Sequence, residues 1–300
     1  MGKIAIAVHG GASEDSAFLR THRQECKQGL AEAVEQGYGI LNAGGTAIDA
    51  VQAAVQILED NPLFNAGKGA ALNSNGEVEM DASIMEGKTL RAGAVSMVRT
   101  VQNPVLLARL VMEHTRHVYL SGYGATELAK KFALPLQPES YFITPHQWEE
   151  FQELHSRETE NDIYQKRMKG TVGAVALDQT GNLAAATSTG GLNNCLPGRV
   201  GDSCIIGAGC YANQYCAVSG TGEGEYLIRQ VVGHTIAMMV ENKLSLQNAC
   251  EEVIFQRNKL KGEMGVISVD QQGNFGVAFN SEIMKRAFKA SEVELIVEID

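Results

Sequence analysis

The segment 170–178, Gly170-Thr171-Val172-Gly173-Ala174-Val175-Ala176-Leu177-Asp178, joins a polar stretch to an apolar run with the composition of a buried strand. A second β-like run, 183–189, follows the turn sequence 178–182. The same order of run, turn and run recurs at 265–279. These two hairpins predict two sheets rather than one doubly wound sheet, and strands grouped apart from helices favour a layered α+β sandwich.

The rest of the chain has further predicted elements. Lys3–Val8 is predicted to be a short buried strand, and apolar residues at helical spacing predict a helix over 26–41 that ends at the glycines 44–45. Thr46 and Asp49 form a capping box for the next helix. Residues 135–170 are predicted to be a mobile linker or a solvated helix. The other expected elements are strands at 77–84 and 91–98 and helices at 104–114, 227–239 and 245–256.

Composition excludes several classes of protein. The chain has 300 residues, of which 44% are hydrophobic and 20% charged, so it can bury a large core. Its net charge of −10 without a basic stripe argues against nucleic-acid binding and against an anionic membrane surface. No apolar run approaches the length of a signal-peptide core or a spanning helix, and the six cysteines have no metal-type spacing. We therefore expect free buried thiols and a cytoplasmic protein.

Common catalytic and nucleotide-binding motifs are missing. Neither glycine cluster, 207–209 or 220–224, has a third glycine at the Gly-x-Gly-x-x-Gly spacing of a dinucleotide fingerprint. There is no Gly-x-Ser-x-Gly elbow either. The seven histidines have no spacing typical of a metal or a catalytic triad. A Gly–Thr bond between a polar linker and a strand is, by itself, an ordinary junction.

Many separated blocks of the chain, however, closely resemble the plant-type L-asparaginase/isoaspartyl peptidase family of N-terminal nucleophile (Ntn) hydrolases. The resemblance implies one domain over 1–300 with the four-layer αββα sandwich of that family. The sequence departs from the family pattern at Ser13, Gly220, Glu223, Ile283 and the tail 291–300. The matching blocks lie at 9–12, 62–67, 80–82, 92–95, 170–178, 187–191, 196–203, 207–213, 221–225 and 278–280.

The resemblance also implies an autocatalytic cut between Gly170 and Thr171. Thr171 Oγ would attack the Gly170 carbonyl, and hydrolysis of the resulting ester would separate an α subunit, 1–170, from a β subunit, 171–300. The new α-amine would titrate near 7.7–8.0, whereas a peptide nitrogen is not basic. Thr171 would then supply both nucleophile and base, without any histidine. Gly170 lacks a Cβ and would tolerate the strained conformation needed for attack.

Further site residues follow from the resemblance in the same way. Thr189 would orient Thr171, and Thr221 Oγ with the Gly222 N–H would form the oxyanion hole. The substrate would be bound by Arg199 at its α-carboxylate, by Asp202 at its α-ammonium and by Gly224, while Asn65 would order the site. Without the resemblance, a surface Arg199–Asp202 salt bridge and a plain strand residue at 189 remain open.

Ligands and partners are likewise implied by the resemblance. No cofactor is expected for catalysis, but relatives hold a structural Na⁺ or K⁺ through backbone carbonyls of one loop. The small-molecule substrates would be L-asparagine and β-aspartyl (isoaspartyl) dipeptides, and the assembly a dimer of αβ heterodimers. The carbonyls that correspond to the ion site here belong to Leu58, Glu59, Asn61, Phe64, Ala66 and Lys68.

The predicted function is hydrolysis of these substrates with release of L-aspartate. One alternative is a glycosylasparaginase-like enzyme, which usually carries a signal peptide, disulfides and Asp before the nucleophile; Gly170 argues against it. Another is a pseudoenzyme that does not process itself and acts as a binding module. The retained hydroxyl and charged residues argue against that second alternative.

Overall fold

A computed structural model describes residues 2–156, 170–259 and 261–300. In this part of the chain, eight strands form one sheet in the order β12-β11-β1-β5-β6-β2-β3-β4, and four form a second in the order β10-β9-β8-β7. The strands are β1 (Ala5–Ser13), β2 (Met80–Glu86), β3 (Ala92–Val98), β4 (Tyr119–Ser121), β5 (Val172–Leu177), β6 (Leu183–Thr189), β7 (Cys210–Ala212), β8 (Cys216–Gly222), β9 (Met264–Asp270), β10 (Phe275–Phe279), β11 (Ile283–Ala290) and β12 (Val293–Ile299).

Helices surround both sheets. Three short elements complete them, two 3₁₀ turns at Glu139–Tyr141 and Asp202–Cys204 and a π-helical turn at Glu252–Gln256. The α-helices are α1 (Ala17–Thr21), α2 (Arg23–Asn42), α3 (Ala47–Asp60), α4 (Pro104–His114), α5 (Gly122–Lys131), α6 (Pro145–Ser156), α7 (Gly224–Gln230), α8 (Val232–Glu241) and α9 (Leu246–Glu251).

Three apolar clusters hold these elements together. The first packs α2, α3 and α4 against the large sheet, the second contains inward residues of both sheets, and the third packs α8 and α9 against the small sheet. Residues such as Val175 and Ile267 belong to the second cluster, on facing strands. The prediction of two sheets and an α+β fold is confirmed.

Local sequence signals account for the elements nearest the site. Thr46 caps α3 as predicted: its Oγ1 accepts the Asp49 N–H at 3.2 Å. The capped helix then buries one apolar face, including Val51 and Val55, against β5 and β6. The predicted hairpins form β5–β6 and β9–β10 with regular antiparallel register.

Two predicted elements, the first strand and the helix over 227–239, differ from the structure. β1 continues through a bulge at Gly10 to Ser13 instead of ending at residue 8, because β11 pairs with it there. The helix predicted over 227–239 is broken at Val231, which adopts a left-handed conformation with φ of 48°. A hydrophobic pattern cannot show such a break, since both halves keep their apolar face.

Of the two alternatives predicted for residues 135–170, a mobile linker and a solvated helix, the structure contains a helix, α6, over Pro145–Ser156. Phe142 is fully buried, and Gln147 on α6 donates to the Gly69 carbonyl at 2.7 Å. This region therefore packs on the body of the protein through a few side chains within a polar sequence. The remaining residues of the predicted linker, 157–169, lie outside the described part of the chain.

Candidate active site

Thr171 lies immediately before β5 and is 4% exposed. Its neighbour Gly170 contacts the β1 bulge so closely that a Cβ on Gly11 would overlap the Gly170 backbone. Gly11 has φ of +105°, and a Cβ on Gly170 would in turn overlap Gly11 Cα. Close approach to Gly11 therefore gives a reason for glycine at residue 170 in addition to the one expected from the attack.

Two threonine side chains surround Thr171. Its Oγ1 lies 3.4 Å from Thr189 Oγ1, and its backbone N–H donates to Thr221 Oγ1 at 3.2 Å. Thr221 Oγ1 also accepts the Ala12 N–H at 3.2 Å. Because both lone pairs of that hydroxyl are then used, its hydrogen is left for another acceptor beside Thr171.

Asn65 orders the loop after Thr189 instead of contacting Thr171. Its side-chain Nδ2 donates to the Gly191 carbonyl at 2.8 Å, and its backbone carbonyl accepts the Gly190 N–H at 3.0 Å. Thr189 Oγ1 in turn accepts the Gly191 N–H at 3.1 Å. Asn65 thus positions the hydroxyl that lies beside the nucleophile.

His9 holds the carbonyl of Thr171, a contact that the sequence did not indicate. Its Nδ1 donates to Thr171 O at 2.9 Å, so Nε2 accepts from Ser219 Oγ at 2.8 Å. Ser219 then accepts from Thr187 Oγ1 at 2.7 Å. Burial, the largest cause, lowers the pKa of His9 to about 3. His9 is consequently a neutral positioning group and not a base at neutral pH.

Arg199 is paired with a glutamate, not with Asp202. Its guanidinium contacts Glu225 Oε1 at 2.9 Å from both Nε and Nη2, with 14% of its side chain exposed. Burial is the largest effect on the pKa of Glu225, but hydrogen bonding and charge from Arg199 leave that pKa below its usual value. A surface salt bridge between Arg199 and Asp202 is therefore not what the structure contains.

Asp202 is a buried carboxyl group whose hydrogen-bonding capacity is only partly used. It is 3% exposed, and its Oδ2 has no hydrogen-bond partner among the described residues. Burial raises its pKa to about 7, opposed by the charge of Arg199. Gly224 packs between these two side chains: a Cβ there would lie 2.7 Å from Asp202 Oδ1 and 3.0 Å from Arg199 Nη2. Arg199 and Asp202 thus form one charged corner beside Gly224.

Asp81 supports the loop that carries Arg199 and Asp202. It stands opposite Thr189 in the β2–β6 pair, and its carboxylate accepts the N–H groups of Gly201 at 2.9 Å and Met97 at 3.2 Å. Burial raises its pKa to about 6. The sequence placed Asp81 in a matching block but gave no role to it, because its partners are backbone groups distant in the chain.

The structure thus gathers the predicted residues into two adjacent groups. Thr171, Thr189 and Thr221 lie together at the ends of β5, β6 and β8, and Gly222 follows at the end of β8. Arg199, Asp202 and Gly224 form the second group. Gly209 links them, since it packs on Asp202 and its carbonyl accepts the Gly220 N–H at 2.8 Å.

The last turn of α3 and the loop after it contain the carbonyls expected to hold an alkali ion. Four of them, at positions 58, 59, 61 and 64, already accept one backbone N–H each. A carbonyl has two lone pairs, so each retains one. A Cβ on Gly69 would lie 2.7 Å from the oxygens of both Pro62 and Phe64, so glycine at this position allows the two oxygens to approach the backbone closely. The remaining lone pairs are donors of the kind that bind an alkali ion.

Other groups that could define a function were sought in the described residues. No cluster of three or more His, Cys, Asp or Glu side chains is arranged to hold a metal, and no helix there has the length and apolar character to cross a bilayer. All six cysteines are free thiols; five are buried and Cys195 is partly exposed. This agrees with the expectation of free thiols.

Comparison with known proteins identifies the family. A family model described as asparaginase matches residues 2–297. The chain belongs to this asparaginase family. It is 46% identical over 299 residues to the isoaspartyl peptidase of Salmonella typhimurium, covering 96% of both chains. It is 44% identical over 283 residues to the isoaspartyl peptidase/L-asparaginase of Mus musculus, covering 94% of this chain and 86% of that one. For the human protein of the same name the identity is 43% over 282 residues, covering 93% and 91%.

Proposed function

We propose that the protein is an autoprocessed threonine amidohydrolase that releases L-aspartate from β-aspartyl dipeptides and L-asparagine. One observation carries the proposal: a buried threonine follows a glycine at the start of β5, with the hydroxyls of Thr189 and Thr221 on either side. The relatives named isoaspartyl peptidase supply the substrate class. The charged corner of Arg199 and Asp202 matches the zwitterionic head of an aspartyl group.

Autocleavage begins with attack of Thr171 Oγ on the Gly170 carbonyl. The C–N bond breaks as an ester forms on Oγ, and the proton passes to the departing nitrogen of Thr171. Water then hydrolyses the ester and leaves a carboxylate on Gly170 and a free amine on Thr171. His9 holds the Thr171 carbonyl at 2.9 Å, so the residue rotates little during these steps.

Substrate hydrolysis uses the same atoms. The Thr171 amine takes the proton of its own Oγ, which attacks the β-carbonyl of the substrate. Thr221 Oγ, whose lone pairs face two N–H groups, donates its hydrogen to the developing oxyanion together with the Gly222 N–H. The leaving nitrogen receives the proton from Thr171, and water releases L-aspartate from the ester. Arg199 must exchange Glu225 for the substrate carboxylate.

The finer architecture and assembly are also proposals. The three apolar clusters favour four layers in the order helices, sheet, sheet, helices, which is the sandwich of Ntn hydrolases. Residues 1–170 and 171–300 would be the two subunits of one shared core, since β1 pairs with both β5 and β11. The assembly would be a dimer of such heterodimers. A location in the cytoplasm agrees with the free thiols.

We also propose that the loop at 58–68 binds Na⁺ or K⁺ through its backbone oxygens and that the ion stabilises this loop. We expect a higher melting temperature in potassium or sodium chloride than in choline chloride at equal ionic strength. The measurement is thermal unfolding of purified protein. Equal melting temperatures in the three salts would contradict an ion at this loop.

Two measurements on wild-type protein test the main proposal. Denaturing mass spectrometry should yield two fragments that meet between residues 170 and 171, and the same material should release aspartate from a β-aspartyl dipeptide. A chain that stays whole and inactive after long incubation would favour the pseudoenzyme. Hydrolysis of a glycosylated asparagine in preference to the dipeptide would favour the glycosylasparaginase alternative.

Binding of substrate is expected to weaken below neutral pH. The pKa of Asp202 is raised to about 7, so its carboxylate is present above that pH and protonated below it. Only the charged form pairs with the substrate ammonium, and KM should therefore rise as the pH falls from 8 to 6. Steady-state kinetics with L-asparagine measures this, and Asp202→Asn should give a high KM that does not vary across the same range.

A further inference from the structure

A cleft of about 410 Å³ lies on the amino side of the bond between Gly170 and Thr171. It is lined by Gly170 itself, by Gly10 and Ser13 of β1, by Asn65 and by Lys285. Neither Arg199 nor Asp202 is among its described lining residues. The cleft thus adjoins Gly170 and is separate from the corner proposed for the aspartyl head.

Lys285 is held close to this bond by the sheet. It is the register partner of Gly11 on the adjacent strand β11, and Gly11 packs directly on Gly170. Neighbouring strands are about 4.8 Å apart, well within the reach of a lysine side chain. The residue is 8% exposed, and its Nζ contacts Ser13 Oγ at 3.4 Å. Among the described lining residues it is the only lysine or arginine.

The two substrate classes differ on this side of the reacting carbonyl. L-Asparagine releases ammonia, which carries no further group. A β-aspartyl dipeptide releases an amino acid, whose α-carboxylate is separated from the leaving nitrogen by a single carbon atom. With the head at Arg199 and Asp202, the cleft beside Gly170 lies outside the site of the head and is available to that carboxylate.

We propose that Lys285, assisted by Ser13, binds the α-carboxylate of the leaving residue and so favours β-aspartyl dipeptides over L-asparagine. This rests on the proposed function. The ammonium has three N–H donors, so a carboxylate can share or exchange with the groups that Lys285 already contacts. Charge-assisted bonds of this kind are stronger than neutral ones, above all where water is partly excluded.

The other charged side chains of the cleft are mostly acidic, so the attraction of a carboxylate into it depends on Lys285. Glu14 and the α6 residues Glu149, Glu150 and Glu153 also line it, together with His146. A carboxylate that enters is repelled by these glutamates and attracted by Lys285. Replacement of Lys285 by a neutral residue therefore leaves the leaving carboxylate near acidic side chains alone, apart from any protonated His146.

The test compares three substrates with the cleaved wild-type enzyme and Lys285→Met. These are a β-aspartyl dipeptide, the same dipeptide with a C-terminal carboxamide, and L-asparagine. For the wild type, kcat/KM should be roughly 10-fold higher for the acid than for the amide, since only the acid carries the charge. Lys285→Met should lose that preference, chiefly through KM, and keep its kcat/KM for L-asparagine within about twofold. Lys285→Arg should restore much of the preference.

A matched control is available on the same strand. Lys289 pairs with Glu35 at the surface, 2.7 Å away, and does not line the cleft, so Lys289→Met should change none of the ratios. Ratios between substrates within one preparation do not depend on the fraction of cleaved enzyme, so slower autocleavage of a variant does not affect them.

The possible results separate the inference from the proposed function. Equal wild-type rates for acid and amide, or an equal loss by Lys285→Met on all three substrates, overturn the role of Lys285 but leave the hydrolase intact. A cleaved wild type that hydrolyses none of the three overturns the proposed function and this inference with it.

Discussion

Replacing Thr171 by alanine is expected to leave one uncut chain and to abolish hydrolysis of β-aspartyl dipeptides. The variant lacks the only oxygen that can attack the Gly170 carbonyl from the same residue, so no amine is released. Loss of a nucleophile costs about four to six orders of magnitude in kcat. Denaturing mass spectrometry follows the cut, and release of aspartate follows the activity.

Thr171→Ser is the matched control for this experiment. Serine keeps the hydroxyl and the amine, and the cavity left by the missing methyl group is small. It should cut itself and retain measurable hydrolysis, although the loss of β-branching lets its side chain rotate more freely. If Thr171→Ala still separates into fragments at residue 170, another group performs the cleavage, and the proposed chemistry is wrong.

Replacing Thr221 by valine should have the second-largest effect. The hydroxyl of Thr221 accepts the N–H groups of Thr171 and Ala12, and its hydrogen is directed to the oxyanion in the proposed mechanism. Valine has nearly the same shape but offers neither function. Removal of one oxyanion donor costs about 10²–10³ in kcat, and autocleavage should slow as well.

Thr221→Ser tests whether this loss comes from the hydroxyl. Serine preserves both accepted N–H bonds and the donor, so its kcat should stay near that of the wild type. Melting temperatures of the two variants separate a catalytic defect from a folding defect, because valine leaves two buried N–H groups unsatisfied. A valine variant that turns over substrate like the wild type would remove Thr221 from the oxyanion hole.

Local sequence signals predicted the elements that depend on near neighbours. The capping box at Thr46 gave the start of α3, and the turn sequences 178–182 and 270–274 gave the hairpins β5–β6 and β9–β10. The break of a helix at Val231 and the packing of Phe142 were not predicted. Both depend on contacts with residues far along the chain, and a local sequence pattern does not reveal such contacts.

The candidate site shows the same division. The resemblance pointed to Thr171, Thr189 and Thr221, and the structure places the hydroxyls of Thr189 and Thr221 in contact with Thr171. The resemblance gave no role to His9 or Asp81, whose partners include the Thr171 carbonyl and the Gly201 N–H, both far along the chain. The structure also adds a reason for glycine at residue 170, the close approach of Gly11.

By itself, the sequence determined the class of fold and the hairpins, which follow from periodicity and turn chemistry acting over a few residues. The choice of Thr171 as the residue at which a cut would release an amine came from the family resemblance and not from any local pattern. Only the tertiary structure decided that Arg199 pairs with Glu225, that His9 contacts the Thr171 carbonyl, and that Lys285 lines a cleft together with Gly170. Those facts depend on strand order and register, because β1 brings residues near 10 between β5 and β11, more than 100 positions away.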